Sequence, residues 1–155
     1  MATYGVPGFQ ATLSTTYKSS VLAWAGATPR RQKWYEIIAG TVQNPNATDC
    51  AVQLDVSRFT TTTGLAGTAF TPNPTDPADA AGSTVVAINT TTEAVVTANS
   101  SVLNFGLNQR ATTRWIAAQE SQYLIVAATA QAGLSLRMLS AQYNSSIATQ
   151  VTYLE

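Results

Sequence analysis

RRQKWYEIIAGTVQNPNATDCAVQLDVSRFTTTTG, residues 30–64, divides into two long strands around an Asn/Pro/Asp connector. In its second half Val52, Leu54 and Val56 alternate with Gln53, Asp55 and Ser57. A helix cannot use that period of two; a half-buried antiparallel strand requires it. In the first half a regular strand sends Trp34, Glu36 and Ile38 to one face and Lys33, Tyr35 and Ile37 to the other. Pro45 between two asparagines, followed by Asp49, breaks a ladder and favours turns. Arg58 carries the apolar side of Val52, Leu54 and Val56 past its end. A charge there needs a carboxylate partner, or a role as an interface anchor, to offset its desolvation.

The same rhythm runs through the rest of the chain. Ala66 to Phe70 forms a short strand, and TVVAIN, AVVT and VLNF follow from Thr84 as short apolar runs separated by Asn, Thr and Ser. TTRWIAA (112–118) and QYLIVAA (122–128) flank a connector of hairpin length. Tyr123 to Val126 is apolar on both faces, which predicts a central strand. Leu134, Leu136 and Met138 alternate with Ser135 and Arg137, and Ile147 to Leu154 closes the chain. Many short strands with long connections and no long helix predict an all-β fold, a two-sheet β-sandwich of jelly-roll or Greek-key type. A closed barrel is the structural rival. The core anchors expected are Trp34 or Tyr35, Leu54, Val56, Trp115, Leu124, Val126, Leu136 and Met138.

Residues 2–10 show no period, so an extended N-terminal arm (1–10) preceding a single domain (11–155) is expected. Tyr4, Val6 and Phe9 are its candidate contacts with a neighbour, and deleting the arm is expected to weaken attachment more than stability. Ala11 to Tyr17 alternates weakly, as an edge strand does, and Val21 to Thr28 fits either a helical turn or a loop under the sheet. TPNPTDPADAAGS, residues 71–83, is a proline-rich loop. Its Asp76-Pro77 pair suits the start of a brief helical turn. Pro72, Pro74, Asp76 and Asp79 are candidate contacts there, although the two aspartates also serve simply as loop caps.

Composition limits the functions available. The chain has 155 residues, of which 10% are charged, with a net charge of zero, one cysteine and no histidine; ordinary soluble domains are about 25% charged. A monomer of this mass exposes roughly 7,500 Å², so its charges are spread thinly. A surface this poor in charge is expected to be covered by copies of itself or by another protein. Nucleic acid needs a basic stripe, and the two lysines and six arginines are scattered. No stretch approaches the ~20 apolar residues of a membrane span. The first residues lack the basic start and apolar run of a cleavable signal.

Catalytic chemistry is not written in the residues. There is no Ser or Cys with a histidine, no phosphate loop and no metal-ligand spacing, so no catalytic, cofactor or metal site is expected. Glu36, Asp55, Glu93 and Glu120 fall on separate elements, and nothing selects a hydrolytic pair among them.

Arg30-Arg31 opening a strand with Trp34-Tyr35-Glu36 and Gly40, Pro45 to Asp49, Arg58 before threonines and glycine, PNPTDPADAA from Pro72, and QRATTRW from Gln109 to Trp115 together resemble the head decoration (cement) proteins of tailed bacteriophages. The likeness spans roughly residues 30–120. It implies a non-enzymatic structural virion protein, often a homotrimer. Such a protein sits on the outer surface of the capsid at threefold or quasi-threefold positions, with the major capsid protein and itself as partners. The competing class is a carbohydrate- or receptor-binding sandwich of a phage fibre, which uses exposed Trp or Tyr as platforms for sugar rings. A major capsid subunit is disfavoured by the lack of a basic arm for the genome.

Overall fold

The computed structural model describes all residues, Met1–Glu155. Twelve strands follow in order: β1 (Thr3–Gln10), β2 (Lys18–Ala25), β3 (Gln32–Thr41), β4 (Ala51–Phe59), β5 (Ala66–Phe70), β6 (Asn73–Pro74), β7 (Thr84–Thr92), β8 (Val96–Asn108), β9 (Thr113–Ile116), β10 (Leu124–Val126), β11 (Gly133–Leu139) and β12 (Ile147–Leu154). They form two antiparallel sheets packed face to face, the all-β sandwich that the alternation predicts. Sheet A runs β10-β3-β12-β1-β6, with β9 also on β3, and sheet B runs β5-β7-β2-β11-β4-β8. The connection between β4 and β8 contributes β5, β6 and β7. Without those three, the orders β1-β12-β3-β9/β10 and β2-β11-β4-β8 are the two four-position sheets of a jelly roll.

No two strands that follow one another in the chain are paired. The strands β3 and β4 of the 30–64 stretch therefore lie in opposite sheets. The expected hairpin across residues 119–121 is likewise absent. A 3₁₀ turn at Glu120–Gln122 separates β9 from β10, and both strands lie end to end along β3.

Several expectations are corrected by the pairing. The N-terminal segment is not an arm. As β1 it pairs with β12 along its whole length, from Thr3 opposite Leu154 to Gln10 opposite Ile147, and it buries Tyr4 and Val6. Its period was masked by Gly8, which occupies an inward position. A Cβ there would collide with Thr149 and Val21, so glycine is what lets sheet A approach β2. The expected strand at 11–17 is instead a connection, and β2 begins at Lys18. There Val21 and Ala23 fill the core in place of a helical turn. β10 is an edge strand rather than a central one. Its apolar run reflects Leu124 and Val126 facing the core, while Ile125 lies opposite Lys33.

The core lies between the sheets, where Trp34, Leu54, Val56, Val126, Leu136 and Met138 are almost fully buried; Trp115 is only partly so. The strand β3 departs from simple alternation. Glu36 faces Thr152 and Trp34 faces Tyr153, which leaves Tyr35 as a bulge residue. Trp34, Ile37 and Ala39 consequently all point inward.

Candidate interaction surface

The two sheets differ on their outer sides. Over sheet B the chain folds back on itself. Ala94, between β7 and β8, packs with Leu22, Phe59 and Ala87, and Leu65 and Trp24 lie against them. Beside that patch is a polar network. Arg137 Nε donates to Asp55 Oδ2 at 2.6 Å, and Asp55 also accepts from Ser57, Ser101 and Asn104. The Arg137 guanidinium lies 4.2 Å from the centre of the Tyr17 ring, a cation–π contact. Burial works to raise the Asp55 pKa, but the hydrogen bonds from Ser101, Ser57, Arg137 and Asn104 outweigh it and hold the carboxyl below its ordinary value. Further along, Glu93 accepts from Ser19 and Thr90, and Ser19 meets Ser135 at 2.7 Å.

The outer side of sheet A is bare. Its register sets Gly5, Thr152, Glu36 and Ile116 in one row and Pro7, Gln150, Ile38 and Arg114 in the next. Phe9, Ala148 and Gly40 continue the face. Phe9 is 38% exposed and Ile116 48%. Arg114 and Glu36 pair at 2.6 Å, so the centre of this face carries no net charge. Lys33 stands at one end of the face, in the row of Leu154 and Ile125, so the surface is sparsely charged rather than neutral, and its small and apolar residues suit burial against another protein.

The residues that the sequence singled out do not converge. Tyr4 is buried, stacked on Tyr153 with ring centres 5.4 Å apart, and its hydroxyl donates to Ala80 O at 2.9 Å. Val6 is in the core. Pro72 is buried, and Pro74 lies opposite Tyr4 in the β1–β6 pair. Asp76 and Asp79 are exposed, and Asp76 Oδ1 accepts the Ala78 N–H at 2.9 Å. Arg58 has no carboxylate partner. Its Nη1 donates to Ile125 O at 2.6 Å, joining β4 of one sheet to the edge of the other. Of the three contacts expected in the arm, Phe9 alone presents its side chain on the bare face, in the same outward set as Thr3 and Pro7. Ile116 and Ile38 were not singled out, because alternation shows which side chains share a face but not whether a loop covers it.

Loop 71–83 is anchored at its far end. The Glu155 carboxylate accepts hydrogen bonds from the N–H and hydroxyl groups of both Ser83 and Thr84. Burial works to raise the Glu155 pKa, and these bonds overcome it and hold the pKa low. Thr75 to Ala80 remain as an exposed tip. Two other motifs do meet. Gln109 is fully buried, accepting the Asn46 N–H at 2.9 Å and donating to Asn46 O and Thr48 O. Arg110 pairs with Asp49 at 2.5 Å. Together they hold the Pro45–Asp49 connector beside an open cleft of about 290 Å³ lined by Thr41, Pro45 and residues 109–112.

Among the aromatic side chains, Trp34 is buried and Trp24 sits edge-on to Phe59 at 6.4 Å. Neither stands out as a flat platform for a sugar. The accessible surface measures 7404 Å², close to the scaling value, so its sixteen charges are as dilute as expected. Comparison with protein-family models, with curated proteins and with solved structures finds no match.

Proposed function

We propose that this chain is a non-enzymatic virion protein, a decoration or cement protein. In this reading it binds the outside of a bacteriophage head at threefold or quasi-threefold positions as a homotrimer. The observation that carries the reading is the bare, sparsely charged outer face of sheet A, with Phe9 and Ile116 open to solvent on a chain that has little charge elsewhere. The motif resemblance adds support, and two of its motifs, Pro45–Asp49 and Gln109–Arg110, are in contact. Binding the assembled lattice more tightly than free subunits stabilises the shell by mass action. Repetition over many symmetric positions adds avidity.

The test is to mix the purified protein with phage heads that lack it and to image them. Density at threefold positions is expected, lost with Phe9→Lys or Ile116→Lys while the melting temperature stays within a few degrees of the wild type. Bare shells at saturating protein sink the proposal. The carbohydrate-binding alternative predicts instead a reproducible signal on a glycan array that disappears with Trp24→Ala.

A further inference from the structure

A sandwich has four open edges, and three of these are blunted. In sheet A, β6 has two residues, and the uncovered part of β1 contains Pro7. Thr3 O accepts the Thr75 N–H at 2.8 Å, so odd-numbered positions of β1 face that edge and the N–H missing at Pro7 is an edge one. On the far side of the sheet, β9 and β10 have four and three residues and are separated by a turn. In sheet B, β5 has five residues and a register shift.

The fourth edge has none of these devices over a continuous run. β8 is 13 residues long, contains neither proline nor charge, and pairs only with β4. Its first part is irregular, but from Leu103 opposite Val56 to Asn108 opposite Ala51 the register is unbroken. Gln109 N–H donates to Cys50 O at 3.0 Å, which sets the parity. Leu103, Phe105 and Leu107 turn their peptide groups to β4, whereas Asn104, Gly106 and Asn108 turn theirs outward. An uncharged edge of this kind is a template for strand pairing.

Gly106 adds an independent observation. Its φ is not positive; Gly64 is the glycine with that conformation. A Cβ on Gly106 would meet only Val52 O, at 3.8 Å. Nothing within the chain requires glycine in this strand, where it weakens the fold. A glycine there fits the close approach of another backbone.

The segment is also self-complementary. We propose that residues 104–108, Asn-Phe-Gly-Leu-Asn, pair antiparallel with the same residues of a second copy, about a twofold axis through Gly106. Gly106 then faces the partner's Gly106, Asn104 faces the partner's Asn108, and Phe105 faces the partner's Leu107. Every outward N–H meets a carbonyl, and no like charges are opposed. Leu103 and Phe105, half-exposed in one chain, gain cover on their open side. This isologous contact is independent of capsid binding, and it joins single chains or neighbouring threefold clusters alike.

The test is sedimentation equilibrium of the wild type and Gly106→Pro. Proline removes only an outward N–H, so the ladder to β4 survives. An even multiple of 16.3 kDa is expected for the wild type and half that mass for the variant. Loss of one backbone hydrogen bond from each copy weakens the pairing roughly tenfold to a hundredfold. The same mass for both proteins, or an odd multiple for the wild type, overturns the pairing whether or not the protein attaches to capsids. Should the proline variant not fold, amide exchange of the wild type decides. Protection at Asn104, Gly106 and Asn108 that falls on dilution supports the contact. Rapid exchange at every concentration, or protection that is insensitive to dilution, overturns it.

Discussion

The outer sides of the two sheets each carry one arginine–carboxylate pair at the same separation of 2.6 Å, Arg137–Asp55 on sheet B and Arg114–Glu36 on sheet A. Their surroundings differ. The side chains of the first pair are 21% and 3% exposed, and those of the second 61% and 14%. Bond length therefore says little about what either pair contributes. On sheet B the chain's own loops have removed water, so losing one partner strands the other; on sheet A the arginine can return to solvent. The chain covers sheet B around Asp55 and Leu22 and leaves the centre of the outer side of sheet A as surface.

The largest effect expected from breaking this contrast is at Asp55. Asp55→Ala leaves Arg137 without its carboxylate and should cost about 3–5 kcal/mol in a urea unfolding titration; a loss below about 1 kcal/mol would make the two faces equivalent. Acid should expose the same asymmetry. Asp55 and Glu155 both have pKa values held below the ordinary ones. Their stabilisation is therefore complete above the unfolded carboxylate range, near pH 4, and is lost as pH falls through the folded values. Stability of the wild type should decline more steeply below about pH 4 than that of Asp55→Asn, which has no such carboxyl to protonate. Next in size is Glu155→Gln, which removes the charge holding Ser83 and Thr84. Limited proteolysis within the exposed tip, residues 75–80, should be several-fold faster, with the rest of the chain resistant. Smallest is Arg114→Ala on the bare face, expected to change stability by no more than about 1 kcal/mol. A larger loss would show that this face is as integral to the fold as its counterpart.

The sequence showed these features unevenly, for physical reasons. The alternation of Val52, Leu54 and Val56 revealed β4 because an antiparallel strand with one face on the core separates apolar from polar positions. It also marked Asp55 and Ser57 as outward. That they are buried depends on Arg137, 82 residues later, and no local pattern carries such a distance. The strand β1 was obscured because its inward set includes Gly8, small for the sake of close packing, and its outward set includes apolar Pro7 and Phe9. With both faces apolar and small, no period survives. At β10 the apolar run was plain, but its meaning was ambiguous. Burial of side chains and number of hydrogen-bonded neighbours are separate properties, and an edge strand over a thick core can look central. The bare face needed the most information, because it is defined by what does not cover it.

The absence of any pairing between consecutive strands bears on what happens if the chain is cut. A nick in the exposed tip near Asp76 would leave two pieces, yet each sheet draws strands from both. β1, β3 and β6 would be interleaved with β9, β10 and β12, and β2, β4 and β5 with β7, β8 and β11. Neither piece contains neighbours enough to rebuild a sheet alone, since nearly every ladder joins distant parts of the chain. The nicked protein should stay associated until it unfolds completely, and once separated its halves should regain structure only when mixed, like cloth whose seams all run through both panels.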